Sequence, residues 1–343
     1  MKRFNVAVVG ATGAVGEEML RVMEEVDFPV NKLVPLASAR SAGSEIEYKG
    51  EKVKVKELTE QVFDEEEIEI ALFSAGGAIS AHFAPFAVEA GAVVIDNTSH
   101  FRMDPEVPLV VPEVNPQDIA AWKNKGIIAN PNCSTIQMVQ ALKPLEDRFG
   151  VKRVDVATYQ ATSGAGKSAM EELVMQMKDF FAFKLDESEH KKFPHQIALN
   201  VIPQIDKFLD NGYTKEEMKM VNETKKIMHK NIEVSATCVR VPVLRGHSEA
   251  ATVWFEKDIT AEAVREALYN GENIVVVDNP ANGEYPMPVM VVGKDETYVG
   301  RIRKDIYRDN VAHIWIVADN LRVGAATNAV RIALKWIEME YEI

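Results

Sequence analysis

The sequence predicts an α/β chain of two domains, a parallel sheet wrapped by helices followed by an α+β domain on a mixed sheet. Three observations carry this. A length of 343 residues exceeds what one hydrophobic core usually serves. Short β-branched runs alternate with helical patterns through the first third, and longer strands of alternating polarity dominate the remainder.

The first third runs FNVAVVG at residues 4–10, a helical stretch at 15–26, KLVPLAS, EIALFSA, a helix near 81–90, and AVVIDN, with GIIANP at 126–131 as the last strand. Strands buried on both faces read as unbroken apolar runs, and helices between them impose parallel pairing. A helix over 134–149 then leads to VKRVDVATYQ, EVSATCVRVPV, EAATVWFE, NIVVVDN, YVGRIR and VAHIWIVA, which predict a mostly antiparallel or mixed sheet covered on one face. The polar stretch 184–226 reads as an excursion with little core of its own, the kind of surface used for dimer contacts. The final segment, 321–343, has helical spacing and is expected to return to the first domain. The domains are thus 1–132 completed by 321–343, and 133–320.

Composition limits the function. A count of 39 Lys and Arg against 52 Asp and Glu gives a net charge of -13, which repels nucleic acid and anionic membrane surfaces. A small-molecule substrate is expected, and an anionic one needs a local basic pocket. No apolar run approaches the roughly 20 residues of a membrane span, and glycines interrupt the apolar N-terminal run, so a strand is expected there instead of a signal peptide. Two cysteines argue for a reducing compartment, and the cytoplasm is the natural assignment.

Directly after the first strand comes GATGAVG, residues 10–16, at the opening of a helix. Glycines allow a tight turn and close approach to a pyrophosphate, whose charge is stabilised by N–H groups at the helix N-terminus. The turn, with Gly10, Thr12, Gly13, Ala14 and Val15, predicts a Rossmann-type dinucleotide site; a plain strand-to-helix turn is the alternative. At the end of the second strand, where NAD-binding chains carry a carboxylate, this chain has Ser38, Arg40 and Ser41. These are donors suited to a 2′-phosphate, so NADP is expected, unless Arg40 is simply a solvated loop residue.

The segment NPNCST sets Cys133 between a strand and a helix, where the helix dipole and open N–H groups favour thiolate over thiol. Cys238, inside a strand, reads as a buried structural cysteine. A thiolate beside a nicotinamide implies aldehyde chemistry through a thioester. Of seven histidines none has metal-ligand spacing, so no metal is expected, and His247 in the turn at 246–248 is the candidate acid/base.

Taken together, GATGAVG, SARSAG, SHFRM at 99–103, VPEVN, NPNCST and RVPVLRGHSE at 240–249 resemble the aspartate-β-semialdehyde dehydrogenase family, in order and over nearly the whole chain. The resemblance implies a homodimer with a catalytic and dimerisation domain. It implies Cys133 as acyl-thioester nucleophile, His247 as acid/base and Gln160 as a substrate-orienting amide. Arg240 would hold the substrate carboxylate and Glu223 its ammonium, with Asn132 also in the substrate site. Arg102 and Lys226 would bind phosphate, and Ser163, Gly164 and Asn320 would add to the cofactor site. The reaction implied is NADPH-dependent reduction of 4-aspartyl phosphate to L-aspartate 4-semialdehyde, feeding lysine, methionine and threonine synthesis. The nearest rival is N-acetyl-glutamyl-phosphate reductase, which has no free ammonium for Glu223 to meet. A non-catalytic NADP-binding protein or a cysteine hydrolase stand further off, since neither needs Cys133, His247 and the glycine turn together.

Overall fold

The structure is a computed structural model that describes residues 2–341. Two compact units divide the chain: residues up to Asn132 together with those from Ala325 onward, and Cys133–Gly324.

The first unit opens with β1 (Phe4–Val9), α1 (Ala14–Glu25) and β2 (Val30–Ala37). An antiparallel hairpin follows, β3 (Glu45–Tyr48) and β4 (Glu51–Lys54), then β5 (Lys56–Glu57), α2 (Val62–Glu65), β6 (Ile70–Phe73), α3 (Gly77–Glu89), β7 (Val93–Asp96) and β8 (Ile127–Ala129). The six-stranded sheet has order β5-β2-β1-β6-β7-β8, and every pairing is parallel, as continuous apolar strands separated by crossovers require.

The second unit begins with α4 (Cys133–Phe149), β9 (Val151–Gln160), α5 (Lys167–Phe181), α6 (Lys215–Met228), β10 (Glu233–Arg240) and β11 (His247–Phe255). It continues with α7 (Ala261–Tyr269), β12 (Ile274–Val276), α8 (Pro288–Val291), β13 (Thr297–Lys304) and β14 (Val311–Ala318). Its sheet, in order β10-β9-β11-β14-β13-β12, is mixed: the two outer pairs are parallel and the inner ones antiparallel. Alternation along the strands buries Val154, Val156, Ala236, Cys238, Ala251, Val253, Ile314 and Ile316 beneath Met138, Leu142 and Leu145 of α4, Met220 of α6, and Val264 and Leu268 of α7. Leu321–Gly324 stay with this unit, since Leu321 N, Arg322 N and Gly324 N all donate to Asp319.

One sequence expectation needs correcting. The stretch 184–226 is not an excursion without a core. Phe193, Ile197, Ala198 and Ile202 form a small cluster with Ala169 and Leu173 of α5, and α6 is a regular helix packed on the main core. The overlooked signal is a capping box: Thr214 Oγ1 accepts from Glu217 N at 3.3 Å, and Glu217 Oε2 accepts from Thr214 N at 2.7 Å.

The chain then returns to the first unit as α9 (Thr327–Tyr341), preceded by a π-turn at Arg322–Ala326. Ala329, Val330, Ala333 and Trp336 of α9 join Met19 and Met23 of α1 over Val6, Val8, Ile70, Leu72 and Ile95. Trp336 meets Phe4, Trp122 and Tyr341 edge-on, with ring centroids 6.3, 5.5 and 6.1 Å away. Truncation of Trp336 to Ala is expected to cost about 3–5 kcal/mol in the first unit, read as a lower urea midpoint. A change under about 1 kcal/mol would show that α9 contributes little to this core.

Candidate active site

In the second unit the strand register brings the sequence-selected residues into one row. Gln160 ends β9 and Arg240 ends β10, and the two are direct partners across the parallel pair. His247 begins β11, where Ser248 pairs with Tyr159, so its imidazole follows on the same buried face. Cys133 is the first residue of α4, the helix that covers that face, and its charge acts on Arg240.

Arg240 is buried, with Nη1 donating to the Ala161 carbonyl at 2.7 Å. Burial depresses its pKa, and the nearby Glu216 carboxylate opposes that shift. His247 is wholly buried. Its Nδ1 accepts from the Ala161 amide at 3.0 Å, so the neutral ring carries its proton on Nε2. Nε2 has no hydrogen-bond partner among the described residues. Burial, and then the Arg240 charge, lower its pKa from 6.5 to about 3. Gly164 lies against both groups: a Cβ there would stand 2.9 Å from Arg240 Nη1 and 3.1 Å from His247 Nε2. Gly324 is equally close to the cysteine, since a Cβ on it would come within 2.7 Å of Cys133 Cβ.

The acid that meets this row is Glu216, which sequence reasoning did not select. Gln160 Nε2 donates to its Oε1 at 3.1 Å, and Lys219 Nζ pairs with its Oε2 at 3.0 Å. Glu216 also acts electrostatically on both Arg240 and His247. Glu223 and Lys226 repeat the same E-x-x-K spacing seven residues later, on the same helix face but about 10 Å further along the axis. Glu223 is buried there, and Lys226 is half-buried. The repeat was the available signal, and it does not say which turn faces Gln160.

The loop after β9 is held from two sides. Thr162 N and Ser163 N donate to the Val243 and Leu244 carbonyls at 2.8 and 3.0 Å. The Ser163 hydroxyl accepts from Asn320 Nδ2 at 2.9 Å, while Asn320 Oδ1 accepts from Gly246 N at 2.9 Å. Ser163, Gly164 and Asn320 thus form one hydrogen-bonded edge beside His247.

In the first unit, Gly10 turns at φ +87°, and a Cβ on Gly16 would lie 2.2 Å from the Gly10 carbonyl. Gly13, the N-cap of α1, has no side chain, and the first-turn N–H groups of Ala14 and Val15 have no intrahelical acceptor, a cradle fitted to a phosphate. Thr12 and Gly13 complete the turn. Ser38, Arg40 and Ser41 follow β2 in a turn closed by Ser41 N to Ser38 O at 2.9 Å, with Arg40 exposed. The donor set fits a dinucleotide with a phosphorylated ribose. Arg102 is buried, with Nε donating to Asn130 O and Nη2 to Asn97 O, both at 2.9 Å. Two backbone carbonyls thus aim this cation. Asn132 is buried at the end of this unit, next in the chain to Cys133.

Comparison with known proteins shows the family of the chain. A family model described as semialdehyde dehydrogenase, NAD binding domain, matches residues 5–122, and one described as semialdehyde dehydrogenase, dimerisation domain, matches 142–323. The chain is 66% identical over 339 residues to an aspartate-semialdehyde dehydrogenase of Campylobacter jejuni, covering 99% of each. It is 57% identical over 332 residues to that of Aquifex aeolicus, covering 96% of this chain and 97% of that one. The crystal structure of aspartate semialdehyde dehydrogenase II complexed with ASA from Vibrio cholerae superposes with a TM-score of 0.95 at 51% identity, covering 99% of this chain and 100% of that one. A Candida albicans aspartate semialdehyde dehydrogenase with NADP superposes at 0.74 and 25% identity, over 100% of both chains. The chain belongs to the aspartate-semialdehyde dehydrogenase family.

Proposed function

We propose that this chain interconverts L-aspartate 4-semialdehyde and 4-aspartyl phosphate through a thioester on Cys133, with inorganic phosphate as co-substrate and NADP as hydride carrier. The observation that carries the reading is the grouping of Gln160, Arg240 and His247 on one buried sheet face beneath the helix that begins with Cys133, in a chain that matches its relatives end to end.

The physical logic begins with charge. A buried guanidinium beside only one carbonyl and one carboxylate is suited to a bidentate partner, so Arg240 takes the α-carboxylate of the substrate. The substrate ammonium meets Glu216 in place of Glu223. Lys219 takes the phosphate-binding role in place of Lys226 because it shares the Glu216 cluster, and Arg102 keeps the phosphate-binding role that the resemblance implies. Gln160, already bonded to Glu216, orients the substrate between them.

Cys133 at the start of α4 adds to the aldehyde carbon as a thiolate. The Nε2–H of His247 hydrogen-bonds the carbonyl oxygen as negative charge develops there and stabilises the hemithioacetal oxyanion. A bound nicotinamide would supply the hydride acceptor needed to take that carbon to the thioester. His247 keeps its Nε2 proton while the oxyanion collapses to the thioester. A phosphate oxygen then attacks the thioester carbon, and the Cys133 thiolate departs. Pairing of Arg240 with a substrate carboxylate removes part of the charge that depresses His247, so substrate binding itself raises the basicity of the ring. Biosynthesis runs these steps in reverse and supplies lysine, methionine and threonine.

The cofactor is NADP because no carboxylate follows β2, while Arg40, Ser38 and Ser41 do. Ser163, Gly164 and Asn320 serve the nicotinamide end. The protein works as a homodimer, and Tyr159 and Trp315, 5.3 Å apart on the sheet face turned away from the helices, suit burial against a second copy. A cytoplasmic setting suits its two free cysteines, and among the described residues no helix is long and apolar enough to cross a membrane.

Purified protein with NADP⁺ and phosphate is expected to form NADPH with L-aspartate 4-semialdehyde and not with N-acetyl-glutamate 5-semialdehyde. Cys133→Ala should abolish this, and activity that survives in the mutant would sink the thioester mechanism. Gly324→Ala should shift Cys133 and lower kcat about 100-fold with the fold intact by circular dichroism; an unchanged kcat would mean that the nucleophile tolerates displacement. His247 stays neutral in the folded state down to about pH 3 but takes its proton near 6.5 when unfolded. The unfolded chain therefore binds more protons in that window, and stability falls as pH drops below about 6.5. His247→Asn should lose less stability than the parent between pH 7 and pH 5, roughly 1–2 kcal/mol less by urea unfolding.

A further inference from the structure

Beneath the row formed by Arg240, Gln160 and His247 lies a second buried row that the reaction does not use: Cys238, Thr158 and Glu249, joined by the same register. Glu249 is wholly buried two residues after His247 on the same face of β11. From β14 it faces Ile316, its register partner, and from β9 it faces Thr158. Cys238 on β10 lies within electrostatic reach. From α4 it faces Gln137, one helical turn after Cys133 and on the same helix face. No cation is near enough to compensate a charge on Glu249, and burial pushes its carboxyl well above the usual range.

Gln137 Nε2 donates to the backbone carbonyl of His247 at 3.5 Å. Gln137 Oε1 and both Glu249 oxygens have no hydrogen-bond partner among the described residues. The Gln137 side chain lies within hydrogen-bonding reach of the Glu249 carboxyl, and an acceptor such as Gln137 Oε1 or a Glu249 oxygen that is left without a donor is costly in a buried site. A proton retained on Glu249 supplies the donor that both need.

We propose that Glu249 is a positioning residue: as a neutral acid it donates to Gln137 Oε1, completing a chain Glu249–Gln137–His247 carbonyl that clamps the first turn of α4, and with it Cys133, to the strand that carries His247. The role rests on the Cys133 thioester reading. It differs from that of Glu216, which meets the substrate side of the same residues as an anion.

The test compares Glu249→Gln with Glu249→Leu in the full-length enzyme. Glutamine keeps a neutral donor and acceptor, whereas leucine fills the space and leaves the Gln137 oxygen unpaired. Glu249→Gln should retain kcat within about twofold and keep the parental pH profile, while Glu249→Leu should lose kcat roughly tenfold or more with little change in KM. The rate of Cys133 alkylation by iodoacetamide should fall in parallel in the leucine variant alone. Infrared spectra at neutral pH should show a buried protonated carboxyl band in the parent that Glu249→Gln lacks. If Glu249→Leu does not fold, the infrared band and the glutamine variant still decide.

Loss of activity in Glu249→Gln equal to that in Glu249→Leu would overturn the role, because an anion would then be required. Absence of the protonated band, or unchanged kcat in Glu249→Leu, would overturn it as well. Failure of the thioester reading itself would appear separately, as activity in Cys133→Ala.

Discussion

Burial of the Arg240 guanidinium is the interaction on which the arrangement of the second unit depends. A cation held at the end of a strand under α6 loses most of its hydration, and the fold must return that stabilisation with oriented partners. It does so with the Ala161 carbonyl and the Glu216 carboxylate. The first ties the loop after β9 to β10, and the second ties α6 to the ends of both strands through Gln160. The same positive charge then acts on His247, whose neutrality follows from its burial and from this neighbour.

Ala161 is the hinge of that network. Its carbonyl receives Arg240 and its amide donates to His247 Nδ1, so one peptide unit on each side of a single residue sets both the cation and the tautomer. The tautomer matters more than the identity of the ring, since it presents a proton at Nε2 and not a lone pair. Glycine is required alongside, because Gly164 leaves no room for a Cβ against Arg240 and His247. The first unit applies a similar principle with less charge: Arg102 is aimed by two carbonyls, and the glycine turn exposes helix N–H groups, so anions are met by preorganised donors in both units.

Much of this was legible in the sequence. Continuous apolar strands between helical patterns determined the parallel sheet, and alternating strands the mixed one, because burial on two faces or one leaves different periodicities. Cys133 and His247 were marked by their places at a helix start and in a turn, whereas Gln160 and Arg240 came only from the family resemblance. The helix over 215–228 was less legible, since its charged residues masked a capping box at Thr214 and Glu217, and buried Met220 was read as part of a polar excursion.

What the sequence by itself determined is which chemistry the chain carries: a nucleophile at a helix start, a glycine turn for a dinucleotide, and cations within an acidic protein. What only the tertiary structure decided is which of two equivalent residues meets Gln160. Glu216 and Glu223 share a helix face and a spacing to lysine, and periodicity cannot tell them apart. The choice belongs to the level at which α6 crosses the ends of β9 and β10, and that level is set by packing of the whole core. The buried state of Glu249 has the same origin: its position in the strand is plain in the sequence, but its want of a counter-charge depends on residues brought together from four other elements.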